Sequence, residues 1–142
     1  MSVPATFRQA VVGSRHNGVV CFRSFVNDAI EGMSMEQLDD ISDDVGALDA
    51  YSEERDAFAS VVMSDVQVLN FDGDGRIMLP EKLITHADLS DMAAFVGQGD
   101  RFFIWNPDRW EEHSERARKI ALEKRAALRG RRGADSGGTK DG

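Results

Sequence analysis

Short apolar runs alternate with stretches of helical spacing along the whole chain. Val19-Val20-Cys21-Phe22 is unbroken and follows Asn17-Gly18, which predicts a turn and then a strand. Val66-Gln67-Val68-Leu69-Asn70-Phe71 comes close to strict alternation, and Ile77 and Leu79 share a face after two glycines. Residues 66–79 therefore predict strand, tight turn, strand. Met92 to Val96 and Phe102-Phe103-Ile104-Trp105, joined by Gly97-Gln98-Gly99-Asp100, predict a further pair of strands.

The helical stretches carry their own start signals. Pro4 opens a short pattern in which Ala5, Phe7, Ala10 and Val11 share a face. Ser34 and Gln37 form a capping-box pattern ahead of Leu38, Ile41 and Val45. Ser52, followed by Glu53, Glu54 and Asp56, predicts a capped helix whose Phe58, Val61 and Val62 turn inward. Pro80 should supply the first position of a short helix through Glu81-Lys82-Leu83-Ile84. Asn106-Pro107 starts a longer one, with Trp110, Ala117, Ile120, Ala121 and Leu128 on an irregular apolar face that ends near Gly130. Residues 129–142 are rich in Gly, Arg, Ser and Asp without apolar periodicity, and read as a disordered tail.

The two halves share an order: a small apolar residue and proline, a short helix, an aromatic strand, a longer helix. One mismatch breaks the correspondence. The second half has a strand-turn-strand arm before Pro80, whereas the first begins only three residues before Pro4, so one hairpin is expected to be missing from the first copy.

The turn Asp72-Gly73-Asp74-Gly75-Arg76 is the best candidate for chemistry. Its Asp-Gly pairs tolerate positive φ, and it places Arg76 at a hairpin end beside a helix start. A calcium loop beginning at Asp72 would need an oxygen ligand fifth, glycine sixth and a carboxylate twelfth, where Arg76, Ile77 and Leu83 stand. A phosphate-cradling glycine loop would need more glycines and a following Lys with Ser or Thr. An ordinary hairpin with a solvated arginine remains the simple alternative.

Composition narrows the classes. The 142 residues suffice for one domain or two small ones, and no apolar run approaches the roughly 18 residues of a membrane span. A cytoplasmic protein is expected. The single cysteine, Cys21, sits in an apolar run and reads as a small buried hydrophobe. His16, His86 and His113 lack metal-ligand spacing and Cys21 has no evident base, so neither a metal, a cofactor nor an enzyme is predicted. Trp105 and Trp110 read as core or subunit-interface residues. The net charge of −8 opposes nucleic-acid binding, but its distribution is uneven. Residues 31–56 carry ten Asp and Glu against Arg55 alone, whereas residues 109–132 gather nine Lys and Arg. The acidic run reads as a solvated helix face or a docking surface.

Taken together, Asp72-Gly73-Asp74-Gly75-Arg76-Ile77-Met78-Leu79-Pro80, Phe95 to Trp105, the Pro107 to Glu111 helix start and Val3-Pro4-Ala5-Thr6-Phe7-Arg8 resemble the MraZ family of bacterial transcription regulators, relatives of the AbrB-type swapped-hairpin barrels. The resemblance runs from about residue 3 to about residue 125. It implies an α+β fold made of a tandem repeat of two swapped-hairpin AbrB-like half-barrels with flanking helices. Residues 1–50 would be the first repeat, N-terminally incomplete, 51–62 a connecting helix, and 63–128 the second repeat with its C-terminal helix. It further implies a ring-like homo-oligomer, associated with the nucleoid, that binds double-stranded DNA at repeated sites upstream of its own gene in the cell-division and cell-wall cluster. Arg76 would contact DNA, supported by Asp72, Gly73, Asp74 and Gly75, with Arg8 a second candidate that also reads as a surface ion-pair partner. A protein-interaction module of the same barrel group, with weak or no DNA binding, is the alternative.

Overall fold

The computed structural model describes Met1, Arg8 and residues 16–141. The short helix expected after Pro4 lies outside the described residues, apart from Arg8, which is helical. Two compact units divide the chain, residues 1–107 and 108–142.

The first unit is built on a five-stranded sheet whose pairings are all antiparallel. Its strands are β1 (Gly18–Arg23), β2 (Ile30–Met33), β3 (Gln67–Asn70), β4 (Ala94–Gln98) and β5 (Arg101–Trp105), in spatial order β3-β1-β2-β5-β4. Residues from the two halves thus interleave: β3 pairs with β1, and β2 with β5. The hairpins β1–β2 and β4–β5 occupy equivalent places on either side of the β2–β5 seam. β3 flanks β1, and among the described residues no strand flanks β4.

Both faces of the central strands are covered, which is why β1 is an apolar run rather than an alternation. Val19 and Cys21 join Ile30, Phe102 and Ile104 on one face, beneath Leu83 and Ala87 of a short helix, α3 (Glu81–Ala87). Val20, Phe22 and Met33 lie on the other, against Met35, Leu38 and Ile41 of α1 (Met35–Gly46). Burial pushes the Cys21 thiol up to about 12, as expected of an inert core residue.

The predicted caps form. Ser34 Oγ accepts the Gln37 N–H at 3.1 Å at the start of α1, and Ser52 Oγ accepts the Arg55 N–H at 3.2 Å at the start of α2 (Glu53–Asp65). Pro80 is the N-cap of α3 rather than its first helical residue, its carbonyl accepting from Leu83 and Ile84. The turn between β4 and β5 has Gly99 at φ +70° with Asp100 after it, as a two-residue hairpin with glycine first requires.

Several expectations are corrected. Ile77 and Leu79 are buried, but their segment is not a strand beside β3: Ile77 exchanges hydrogen bonds with Met1, its N–H donating to Met1 O at 2.7 Å and its O accepting from the Met1 amino group at 2.8 Å. The backbone groups that would have extended the hairpin are satisfied elsewhere. β4 begins at Ala94 rather than Met92, leaving Met92 exposed. Phe58 and Val61 are 43% and 39% exposed because the face of α2 they occupy is only partly covered, Phe58 meeting Phe25 edge-on at 6.1 Å. β2 has no apolar run to announce it: Glu31 and Gly32 fill half of it, yet all four residues are buried.

The second unit holds the helix α4, which starts at Pro107, the last residue of the first unit, as predicted, and runs to Asp141, past the expected end near Gly130. The apolar spacing does not account for these last turns. Trp110 and His113 pack ring to ring at 5.8 Å, while Ile120, Leu122 and Leu128 are exposed. No described helix is long and apolar enough to cross a membrane.

Candidate nucleic-acid interface

The turn that follows β3 is held by the backbone and by one carboxylate. Gly75 N–H donates to Asp72 O at 3.1 Å, and Asp72 N–H donates to Arg76 O at 2.9 Å, enclosing Gly73, Asp74 and Gly75. Only Gly75 takes positive φ, at +72°; Gly73 and Asp74 do not. This is a three-residue loop, a tight turn completed by a left-handed glycine bulge, rather than the two-residue form that an Asp-Gly pair suggests. Asp at the first position and glycine at the fourth are what that geometry favours.

Asp72 Oδ1 accepts the N–H groups of Asp74 and Arg76, each at 2.9 Å. These two bonds, Arg76 first, with the nearby Arg76 charge, hold the Asp72 carboxyl below its ordinary range. Asp72 thus stays ionised and fixes the backbone at Arg76. The Arg76 side chain projects into solvent with no hydrogen bond or ion pair to a described residue. Its guanidinium is available as a planar donor for phosphate or for a guanine edge.

Arg8 belongs to the same place. An ideal Cβ on Gly75 would lie 2.3 Å from Arg8 Nη1 and 2.8 Å from its Cζ and Cδ, so the arginine lies directly over the glycine. The Arg8 Nε is buried without a hydrogen-bond partner among the described residues, and no ion pair links Arg8 to one of them. Between the turn and the start of β1 is a cleft of about 230 Å³, bordered by Arg8, His16, Asn17, Phe71, Asp72 and Gly75. The two arginines were separate candidates in the sequence; the fold brings both to one turn.

The foundation of this arm was not legible in advance. Asp65, the last residue of α2, is 1% exposed. Its Oδ1 pairs with Arg23 Nη2 at 2.8 Å and Lys82 Nζ at 2.7 Å, and its Oδ2 accepts the Arg23 N–H at 2.8 Å. Burial pushes this carboxyl up, but the hydrogen bonds from Arg23 and Lys82 more than offset that and bring it to about 2. One carboxylate so ties α2, β1 and α3 together just before β3 begins. The usable signal was an acid in the last turn of a helix, where the dipole disfavours negative charge unless a partner holds it. A second missed pair, Glu31 Oε1 with Arg101 Nη1 at 2.7 Å, joins the buried strands β2 and β5.

An antiparallel sheet woven from two half-repeats, flanked by helices and carrying a carboxylate-pinned arginine turn, defines the AbrB-like swapped-hairpin class of α+β protein. The family model described as "MraZ protein, putative antitoxin-like" matches residues 63–130. The chain is 41% identical over 129 residues to the transcriptional regulator MraZ of Rickettsia akari (strain Hartford), covering 91% of this chain and 87% of that protein. The proteins of that name from Rickettsia felis and Rickettsia bellii are 41% and 38% identical over 129 residues each. The chain belongs to the MraZ family.

Proposed function

We propose that this protein is a sequence-specific, DNA-binding transcription regulator. It acts as a ring-like homo-oligomer on repeated double-stranded sites upstream of its own gene, in the cell-division and cell-wall cluster, and is associated with the nucleoid in the cytoplasm. The observation that carries the reading is the exposed Arg76 guanidinium on a turn pinned by Asp72. The relatives' name, transcriptional regulator, supports it. A well-aligned arginine on a guanine edge discriminates by about 1–3 kcal/mol. Repetition of that weak contact around a ring raises overall affinity by about 10² to 10⁴, enough to work against the net charge of −8.

The test is a salt series of binding to a duplex from upstream of the protein's own gene and to a scrambled duplex, with the native chain and Arg76→Ala. The native chain should prefer its own site and the variant should lose that preference. Equal affinity of native chain and variant on the upstream duplex would remove Arg76 from the interface. The second reading, a protein-interaction module, draws on the acids of α1 and α2 and on the exposed Phe25, Val26 and Phe58 beside them. Stoichiometric copurification with a protein partner and no salt-sensitive DNA binding would favour it.

A further inference from the structure

Resting on that reading, we propose that the cleft beneath Arg8 is a seat for one backbone phosphodiester, so that Arg8 anchors the DNA strand while Arg76 reads it. The cleft is a consequence of two glycines. A Cβ on Gly75 would run into the Arg8 guanidinium, and one on Gly18 would run into the Leu69 carbonyl and lie 2.7 Å from His16 Nε2. Side chains at either position would close the space that Arg8, His16 and Asn17 border. The Arg8 Nε is buried and has no hydrogen-bond partner among the described residues. An oxyanion in the cleft is met by the Arg8 guanidinium on its border, a planar charged donor whose fork suits phosphate. The Asn17 side chain carries further amide donors beside it.

The lining also fixes the class of anion. Asp72 is the one carboxylate among the described residues that border the cleft, and it is held ionised by the N–H groups of Arg76 and Asp74. A dianionic free phosphate meets more repulsion there than a monoanionic diester. The cleft therefore favours a strand backbone over inorganic phosphate. Such a contact is blind to base sequence, whereas Arg76 stands outside on the exposed side of the same turn.

The two roles separate in one experiment on the full chain. Binding to the upstream duplex and to the scrambled duplex is measured across a salt series for the native protein, Arg8→Ala, Arg8→Lys and Arg76→Ala, with thermal unfolding as the check that each variant folds. Arg8→Ala should weaken both duplexes by the same factor and reduce the slope of log K against log salt by about 0.9, the share of one phosphate. Arg8→Lys, which keeps the charge but lacks the planar guanidinium fork, should fall between. Arg76→Ala should instead lower the ratio between the two duplexes. A slope unchanged in a folded Arg8→Ala, with Arg76 still discriminating, would overturn the phosphate seat and leave the regulator reading intact. Absence of any salt-dependent binding by the native chain would overturn that reading and the strand backbone as occupant. In that case a saturable shift of the Asn17 and Gly75 amide resonances on adding inorganic phosphate would reassign the cleft to a free anion.

Discussion

Gly73 and Gly75 each follow an aspartate in the same turn, yet alanine should act in opposite directions at the two positions. At Gly75 the backbone sits at φ +72°, where an L side chain costs about 1–2 kcal/mol. The new Cβ would also lie 2.3 Å from Arg8 Nη1, so the guanidinium must move; that is the far end of a flexible side chain and adds little beyond the backbone strain. Gly75→Ala should therefore destabilise by about 1–2 kcal/mol. At Gly73 φ is not positive and nothing lies within 4 Å of the added Cβ. Gly73→Ala should stabilise by about 0.4–1 kcal/mol, because the unfolded chain loses freedom. Urea unfolding of both variants beside the native chain reads the difference as a shift in midpoint at constant slope. DNA binding by Gly75→Ala should also fall, since Arg8 is displaced, while Gly73→Ala binds normally. Equal destabilisation by the two substitutions would refute the assignment of the single left-handed residue to Gly75, and a neutral Gly75→Ala would refute the strain argument.

Two further outcomes test the packing beneath the turn. The Asp65 carboxyl is lowered from its ordinary 3.8 to about 2, so its contribution is present above pH 3.8 and is lost as pH falls through about 2. The shift corresponds to at most about 2.5 kcal/mol, and roughly 1–2 kcal/mol is expected because Arg23 and Lys82 are both about half exposed and screened. Asp65→Asn should remove that part of the acid dependence in urea unfolding between pH 5 and 2, and a variant with the native pH profile would sink the assignment. Gly32 faces Phe102 across β2–β5, and a Cβ there would fall 2.4–2.9 Å from three ring atoms of a buried side chain. Gly32→Ala should cost about 1–3 kcal/mol by overpacking, and Phe102→Leu in the same chain should recover part of it; strictly additive losses would argue against the contact.

The resemblance and the local signals reached far into this protein. Ser34, Ser52 and Pro107 marked their helix starts because a cap is a contact between residues three apart or fewer. The Val19 to Phe22 run marked β1 because burial on both faces leaves no polar position to alternate. Asp72, Gly75 and Arg76 marked the turn because all its hydrogen bonds close within five residues. Each of these is a short-range interaction, and a sequence states those directly.

What the sequence could not state depends on residues far apart in the chain. Glu31 and Gly32 make a poor strand alone and a good one once Arg101 pairs the charge and Phe102 fills the space that glycine leaves. Ile77 leaves the hairpin because Met1 offers its backbone groups. Asp65 became an anchor only when Arg23 and Lys82 arrived from two other elements. Arg8 and Arg76 became one site only when Arg8 came to lie over Gly75 in the turn of the second half. The sequence alone determined most of the elements, though not β2, and with them their caps, the arginine turn and the family resemblance. The tertiary structure decided which backbone groups are shared, which charges are buried together and which donor is left unpaired, because desolvation and pairing depend on every neighbour in space and not on those in sequence.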